Sequence, residues 1–312
     1  MTKYLTKFPN GNYFIEANYF KAELHFYFEE KDAALVCYRV VADASRGSYT
    51  EESTIKAASI LFDNEDWENA FDYYQKLYPL AENKSTKLLA AVGRLRCSYN
   101  LKDWDNVISA ASDIIENEKS NDEQRRESHY KMAKAYYAKE NNIRALGLFE
   151  ILSKEVVSYE GAESKYRVAE INFNMGKDSI AENLIYEFAQ MNSPQAYWLA
   201  KSFILLADIY YKNGDNFSAK HTLQTVLNNY KNETDGIKDE ASEKLTAILD
   251  EEQAAQVEED GLDLKINLIN EDSEDNELFE EGEDKFDLPK PAEIEEETDR
   301  EDPINNSETN NE

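Results

Sequence analysis

Between Ala207 and Ala219 the sequence reads ADIYYKNGDNFSA. A small residue opens and closes this stretch, and Asn213 and Gly214 lie between the two. Asn and Gly readily adopt the left-handed backbone conformation that ends a helix, and the carboxylate of Asp215 can accept hydrogen bonds from the free N–H groups of the next helix. The stretch therefore predicts two antiparallel helices joined by a tight turn, with the two alanines where the helices cross.

The same arrangement recurs along the chain. A small residue is followed twelve positions later by another, six times, and the second members lie about 37 residues apart. The six pairs are Ala22/Ala34, Ala58/Ala70, Leu95/Val107, Ala133/Ala145, Ala169/Ala181 and Ala207/Ala219. Only Leu95 and Val107 depart from the small-residue rule. A period of this length marks stacked two-helix units, so the sequence predicts an all-α solenoid of six helix-turn-helix repeats in residues 12–232.

The charge balance narrows the range of partners. The chain of 312 residues contains 34 Lys and Arg against 64 Asp and Glu, a formal net charge of −30. Such a surface repels phosphate backbones and anionic lipid headgroups, which disfavours nucleic-acid and membrane-surface binding. No stretch approaches the roughly 20 apolar residues of a membrane span. We therefore expect a protein or peptide partner, no nucleic acid and no direct membrane insertion.

The segments on either side of the array differ from it. Residues 1–11, with Tyr4, Leu5 and Phe8 ahead of Pro-Asn-Gly, have the pattern of the last turns of a second helix and are interpreted as the remnant of a preceding repeat. Residues 233–250 place one apolar stripe on a charged helix, which suits a cap. Residues 251–312 are strongly acidic and poor in aromatic residues, so they predict a disordered tail.

One segment of the tail has a pattern of its own. Leu262, Leu264, Ile266 and Leu268 alternate with polar residues, a period of two that can form a strand on a partner's exposed edge. Two interpretations are open. The segment is an incidental apolar patch, or it is a docking motif that binds a partner or folds back on the array.

Signals for catalysis are scarce. The sequence has no Gly-x-Ser-x-Gly motif, no glycine-rich phosphate loop and no paired-Cys metal spacing. His25, His129 and His221 fall on different repeats, too far apart to share a metal. Cys37 and Cys97 are separated by an intervening repeat, which exceeds the reach of a disulfide and predicts two free, buried thiols. We expect no enzymatic activity, no cofactor and no metal.

An aromatic residue stands four positions after the first member of every pair. These residues are Phe26, Phe62, Tyr99, Tyr137, Phe173 and Tyr211, and we call them the aromatic ladder. In a two-helix solenoid the first helices line the concave surface, and the ladder should lie near it. Two interpretations are open: packing between repeats, or a stacked aromatic groove that holds an extended peptide or partner helix. Further candidates for partner binding on the same helices are Tyr130, Tyr166, Arg96 and Lys134.

Two stretches carry a resemblance to a known family. Residues 207–219, and Ala133–Tyr137 (AKAYY) followed by Ala145 and Phe149, resemble tetratricopeptide repeats, which are helix-turn-helix units of about 34 residues. The resemblance implies a right-handed α-solenoid. The longer period, with Pro-Asn-Gly and Ser-Pro between units, is more similar to divergent repeats of bacterial envelope proteins, including the outer-membrane assembly lipoprotein class.

The sequence thus predicts a non-enzymatic scaffold that binds a peptide or partner protein on the concave face of the solenoid. The envelope resemblance implies, as an alternative, a component of cell-envelope or outer-membrane assembly. A third possibility is an acidic chaperone for basic proteins that acts through the tail. The first residues lack the apolar run of a signal peptide. The chain as it stands is expected in the cytoplasm, and as the C-terminal part of a longer exported protein it would lie in the periplasm.

Overall fold

The computed structural model describes residues 1–44 and 47–270, with side chains described up to residue 257. Within these residues it contains fourteen helices and no strand. The helices are α1 (Thr2–Lys7), α2 (Phe14–Tyr27), α3 (Lys31–Ala42), α4 (Thr50–Asp63), α5 (Trp67–Leu80), α6 (Lys84–Asn100), α7 (Trp104–Glu116), α8 (Asp122–Ala138), α9 (Asn142–Leu152), α10 (Tyr159–Asn174), α11 (Asp178–Gln190), α12 (Ala196–Lys212), α13 (Asn216–Asn229) and α14 (Ile237–Asn270).

Helices α2 to α13 form six consecutive hairpins, numbered one to six below, which confirms the predicted α-solenoid. Both members of every predicted pair are at most 2% exposed, with one member on each helix of a hairpin. The buried residues form five clusters that follow one another along the chain, and each cluster draws on neighbouring helices. Such a core grows by adding hairpins and does not bring distant segments together.

One turn geometry closes the first helix of every hairpin. The residues with positive φ in the six turns are Glu29, Glu65, Lys102, Glu140, Gly176 and Gly214, with φ between 58° and 80°. The N–H of the next residue donates a 2.9 Å hydrogen bond to the carbonyl five residues earlier, as Asp215 does to Tyr210. This bond is part of the Schellman motif. In four hairpins a Glu or Lys takes the left-handed position, where the sequence pattern favours Gly or Asn.

The first hairpin leaves one face open. Leu24 of α2 is 50% exposed. The equivalent residues of the later first helices, all buried, are Ile60, Cys97, Ala135, Ile171 and Ile209. The short helix α1 packs on α2, and the hydroxyl of Tyr4 accepts a hydrogen bond from the N–H of Tyr13. The interpretation of residues 1–11 as the remnant of a preceding repeat stays a prediction.

The last helix is longer than predicted. The capping helix was expected to end at Asp250, but α14 continues to Asn270, because the residues after Asp250 are rich in Glu, Gln and Ala, which are strong helix formers. Leu262, Leu264, Ile266 and Leu268 lie within this helix, so their alternation does not correspond to a strand here. The predicted disorder beyond Asn270 lies outside the described residues. The chain divides into Met1–Ala255 and Gln256–Glu312, and the surface analysed below belongs to the first part.

Candidate partner-binding surface

The first helices of successive hairpins lie side by side. Helix α4 contacts α6, α6 contacts α8, and α10 contacts α12, in addition to the contacts that each makes with its neighbours along the chain. The second helices of successive hairpins approach one another less closely. We call the side of the array formed by the first helices α2, α4, α6, α8, α10 and α12 the inner surface.

The aromatic ladder is built into the hairpins. Five of its six residues are half-buried, and Tyr211 is 38% exposed. Four ladder rings pack edge-on against a ring of the same hairpin: Phe26 on Tyr38, Phe62 on Trp67, Tyr99 on Trp104 and Tyr137 on Phe149. None of the described ring contacts joins two ladder residues, and the interpretation of the ladder as a groove for a peptide stays a prediction.

Cations from the next hairpin cover most of the ladder. At four of the five junctions between hairpins a Lys or Arg of the later hairpin stands over the ring of the earlier one. These pairs are Lys56 over Phe26 at 4.1 Å, Lys131 over Tyr99 at 3.9 Å, Arg167 over Tyr137 at 4.9 Å and Lys212 over Phe173 at 4.9 Å. Each such contact contributes about 0.5–2 kcal/mol, depending on its desolvation. The ladder thus ties successive hairpins together.

A buried carboxylate connects hairpins four and five. Glu163 of α10 is 1% exposed and accepts hydrogen bonds from the hydroxyl of Tyr130 and from Nζ of Lys134, both at 2.5 Å. Arg167 adds a third bond at 3.3 Å. A buried charge is tolerated only when it is paired and hydrogen-bonded, and these three donors meet that need. Burial, together with the charge of Glu163, raises the pKa of Tyr130, which therefore stays a hydrogen-bond donor.

A second group continues from α10 to α12. Tyr166 is 6% exposed, donates a 2.7 Å hydrogen bond to Glu170 and packs 5.4 Å from the ring of Trp198. Arg167 donates to Glu170 at 2.7 Å and lies over Tyr166 and Trp198. The ring of Tyr159 contacts Trp198 at 5.6 Å but is 50% exposed. This part of the inner surface holds closely packed, hydrogen-bonded side chains and presents the half-exposed ring of Tyr159.

Arg96 also has an internal partner. Its side chain is 46% exposed and forms two hydrogen bonds with the carboxylate of Glu127, at 3.0 and 2.9 Å. Lys131 lies 3.8 Å from the same carboxylate, and burial lowers the pKa of Lys131. Glu127 and Glu163 neutralise the charges of Arg96 and Lys134. These two predicted binding residues are therefore already paired with carboxylates of the chain itself.

Of the predicted binding residues, Tyr130, Tyr166 and Lys134 lie in these two groups, and Glu163 and Arg167, which no sequence pattern singled out, connect them. A signal for such connections exists in the sequence. Three of the four cations, Lys56, Lys131 and Arg167, stand about 30 positions after the ladder ring that each covers, whereas Lys212 stands further from Phe173. This spacing becomes visible only when the sequence of each hairpin is aligned with that of the next hairpin.

The residues with reactive side chains lie apart. His25 contacts Glu30, whereas His129 lies on α8 and His221 on α13. In the part of the chain that the structure describes, no group of three or more His, Cys, Asp and Glu residues is arranged to hold a metal ion. Cys37 and Cys97 are free and buried. None of the helices searched in the described residues has the length and hydrophobicity to cross a bilayer.

A family model and several solved structures are similar to parts of this chain. The family model of the tetratricopeptide repeat matches residues 197–233, which include α13 and nearly all of α12. No curated protein matches the chain.

Among solved structures, a tetratricopeptide repeat protein from Parabacteroides merdae is 18% identical with a TM-score of 0.37, over 79% of this chain and 89% of that one. YrrB, described as a TPR protein with an unusual peptide-binding site, is 13% identical with a TM-score of 0.48, over 66% of this chain and 97% of that one. The sixth hairpin thus matches the tetratricopeptide-repeat model, and the five others share its turn and its crossing residues, so the chain is built of tetratricopeptide-like hairpins.

Proposed function

We propose that this chain is a scaffold that binds another polypeptide on its inner surface. Tetratricopeptide-repeat folds serve in general as scaffolds for protein interactions. The observation that carries the proposal is the pre-arranged surface of α8, α10 and α12, where Glu163 and Arg167 fix their neighbours and Tyr159 stays accessible. A fixed surface loses little conformational entropy on binding, and an accessible aromatic ring offers a large contact area.

The partner is recognised by shape and aromatic contact in this proposal. A clamp for a free carboxylate would need unpaired cations, and Arg96 and Lys134 are each bonded to a carboxylate of the chain itself. The envelope role is a narrower form of the scaffold proposal that rests on sequence resemblance. The acidic-chaperone alternative places the activity in residues 251–312, most of which lie outside the described residues.

Two matched variants test the inner surface. Peptides are selected from a random library on the full chain, and their affinities are measured by fluorescence anisotropy. Tyr159→Ala removes a half-exposed side chain from a first helix, and Ile143→Ala removes a 79% exposed side chain from the second helix α9. We expect Tyr159→Ala to weaken binding about tenfold, or about 1.4 kcal/mol, and Ile143→Ala to leave the affinity unchanged.

The opposite pattern would contradict the proposal. If Ile143→Ala loses affinity while Tyr159→Ala keeps it, the second helices and not the inner surface bind the peptides. Both side chains are largely or half exposed, so circular dichroism of the two variants should match that of the parent chain. That control separates a lost contact from a lost fold.

A further inference from the structure

One junction on the inner surface lacks the cation that the others have. Phe62, the ladder residue of hairpin two, is the exception among the five junctions, since none of the described Lys or Arg residues stands over its ring. At three other junctions the cation comes from the same place, two positions before the first small residue of the next hairpin. Those residues are Lys56, Lys131 and Arg167. In hairpin three that place is taken by Gly93.

The absence of a side chain at Gly93 is built into the packing. A Cβ atom on Gly93 would lie 2.4 Å from the ring of Tyr74, far inside van der Waals contact. Tyr74 belongs to α5 and is only 8% exposed, so its ring cannot easily move away. The ring thus occupies the space through which a side chain would leave α6, and the position over Phe62 cannot be filled from Gly93.

A cavity opens at this junction. Its volume is about 320 Å³, and it lies among α4, α5, α6 and the start of α8. Phe62, Leu88, Leu89 and Val92 give it apolar walls. Its one lining cation, Arg96, forms two hydrogen bonds with Glu127, so the charge of Arg96 is matched within the chain. Leu89 is 42% exposed, which leaves the cavity accessible from solvent.

We propose that this cavity binds a Lys or Arg side chain of the partner polypeptide, which takes the place over Phe62 that Lys56, Lys131 and Arg167 take over their own rings. This inference rests on the proposed function, because it names the chemistry of the partner. The methylene groups of the incoming side chain pack on Leu88, Leu89 and Val92 while its charge faces the ring. The net charge of −30 adds a general attraction for a basic segment.

Small probes test the cavity without a known partner. N-acetyl-lysine amide, N-acetyl-arginine amide and N-acetyl-norleucine amide are titrated into the full chain, and the methyl resonances of Leu88, Leu89 and Val92 are followed by NMR. Norleucine keeps an unbranched aliphatic stem and lacks the charge. We expect saturable shifts with the two cationic probes and at least fivefold weaker binding of the norleucine amide.

Two substitutions locate the site. Phe62→Leu should weaken the cationic probes at least fivefold, because the ring face is lost. Phe26→Leu changes a ladder ring that Lys56 already covers, and it should leave their binding unchanged. Equal binding of the norleucine and lysine amides would overturn the inference, as would the absence of saturable shifts with any probe. Both results are read on the unsubstituted chain, so they hold even if Phe62→Leu is unstable. If library peptides depend on Tyr159 while the cationic probes do not bind, this inference fails and the proposed function stands.

Discussion

Two helical glycines differ in what surrounds them. A Cβ on Gly161, near the start of α10, would lie 1.8 Å from the carbonyl oxygen of Glu155, whereas nothing lies within 4 Å of a Cβ on Gly147 in α9. Gly161→Ala should lower the free energy of unfolding by about 2–3 kcal/mol, since the backbone must shift. Gly147→Ala should raise it by about 0.5–1 kcal/mol, because alanine is the better helix former. Urea denaturation measures both, and effects of the same sign would contradict this packing.

Two buried groups make stability sensitive to alkaline pH. Burial raises the pKa of the Cys97 thiol from 9.0 to about 12, and burial is also the main cause that raises the pKa of Tyr74 from 10.0 to about 12. Both groups bind protons more tightly in the folded chain, so unfolding releases protons at high pH. Their contribution is fully present below pH 9 and is lost as the pH rises towards 12.

The urea midpoint should therefore fall between pH 9 and 11, and fall less in Cys97→Ala than in the parent chain. The folded parent should also react with iodoacetamide at pH 8 far more slowly than the unfolded chain, because the Cys97 thiol is buried and protonated. A midpoint that stays constant up to pH 11 would contradict the raised pKa values.

For single residues, the sequence predicted which apolar side chains are buried better than it predicted which polar side chains contact each other. Burial of Cys37 and Cys97 followed from their places on the helical pattern, and the structure confirms it. The burial of Glu163 did not follow, because its three donors come from two different hairpins. Nothing within one repeat distinguishes a carboxylate that faces solvent from one that faces the next helix.

A residue in the hairpin turn can be substituted without changing the packing of the buried core. Lys102 has φ of 58° and Gly214 has φ of 80°, at the same place in hairpins three and six. A side chain in the left-handed region costs about 1–2 kcal/mol, partly offset by the greater entropy that glycine loses on folding. Lys102→Gly should therefore stabilise the chain by about 0.5–1 kcal/mol, and Gly214→Ala should destabilise it by about 1 kcal/mol. Thermal unfolding of both variants checks the signs, and a destabilised Lys102→Gly would show that the turn is unstrained.

At the scale of elements, the periodic pairs predicted the helices, because both members of a pair must be small or apolar to let two helices cross. The turns were less predictable, since the Schellman hydrogen bonds hold Glu and Lys in a conformation for which Gly or Asn is the usual signal. The end of the capping helix was misplaced for a related reason. A change in charge suggested a boundary at Asp250, but the Glu, Gln and Ala residues that follow are strong helix formers and continue the helix.

In the array of hairpins, each core cluster draws only on helices that are neighbours along the chain. Ala207 is 2% exposed in the last core cluster, with residues of α12, α13 and α14. Ala207→Leu should overpack this crossing and cost about 1–3 kcal/mol. In a one-dimensional array the loss of stability stays near its source. Ala138→Leu, at an exposed position on α8, is the matched control.

Native-state hydrogen exchange of the Ala207→Leu chain tests this claim most directly. We expect amide protection to fall in α12 and α13 and, to a smaller degree, in α10 and α11, while the amides of α2 to α5 exchange as they do in the Ala138→Leu control. An equal loss of protection from α2 to α13 would contradict it, because the array would then unfold as one body.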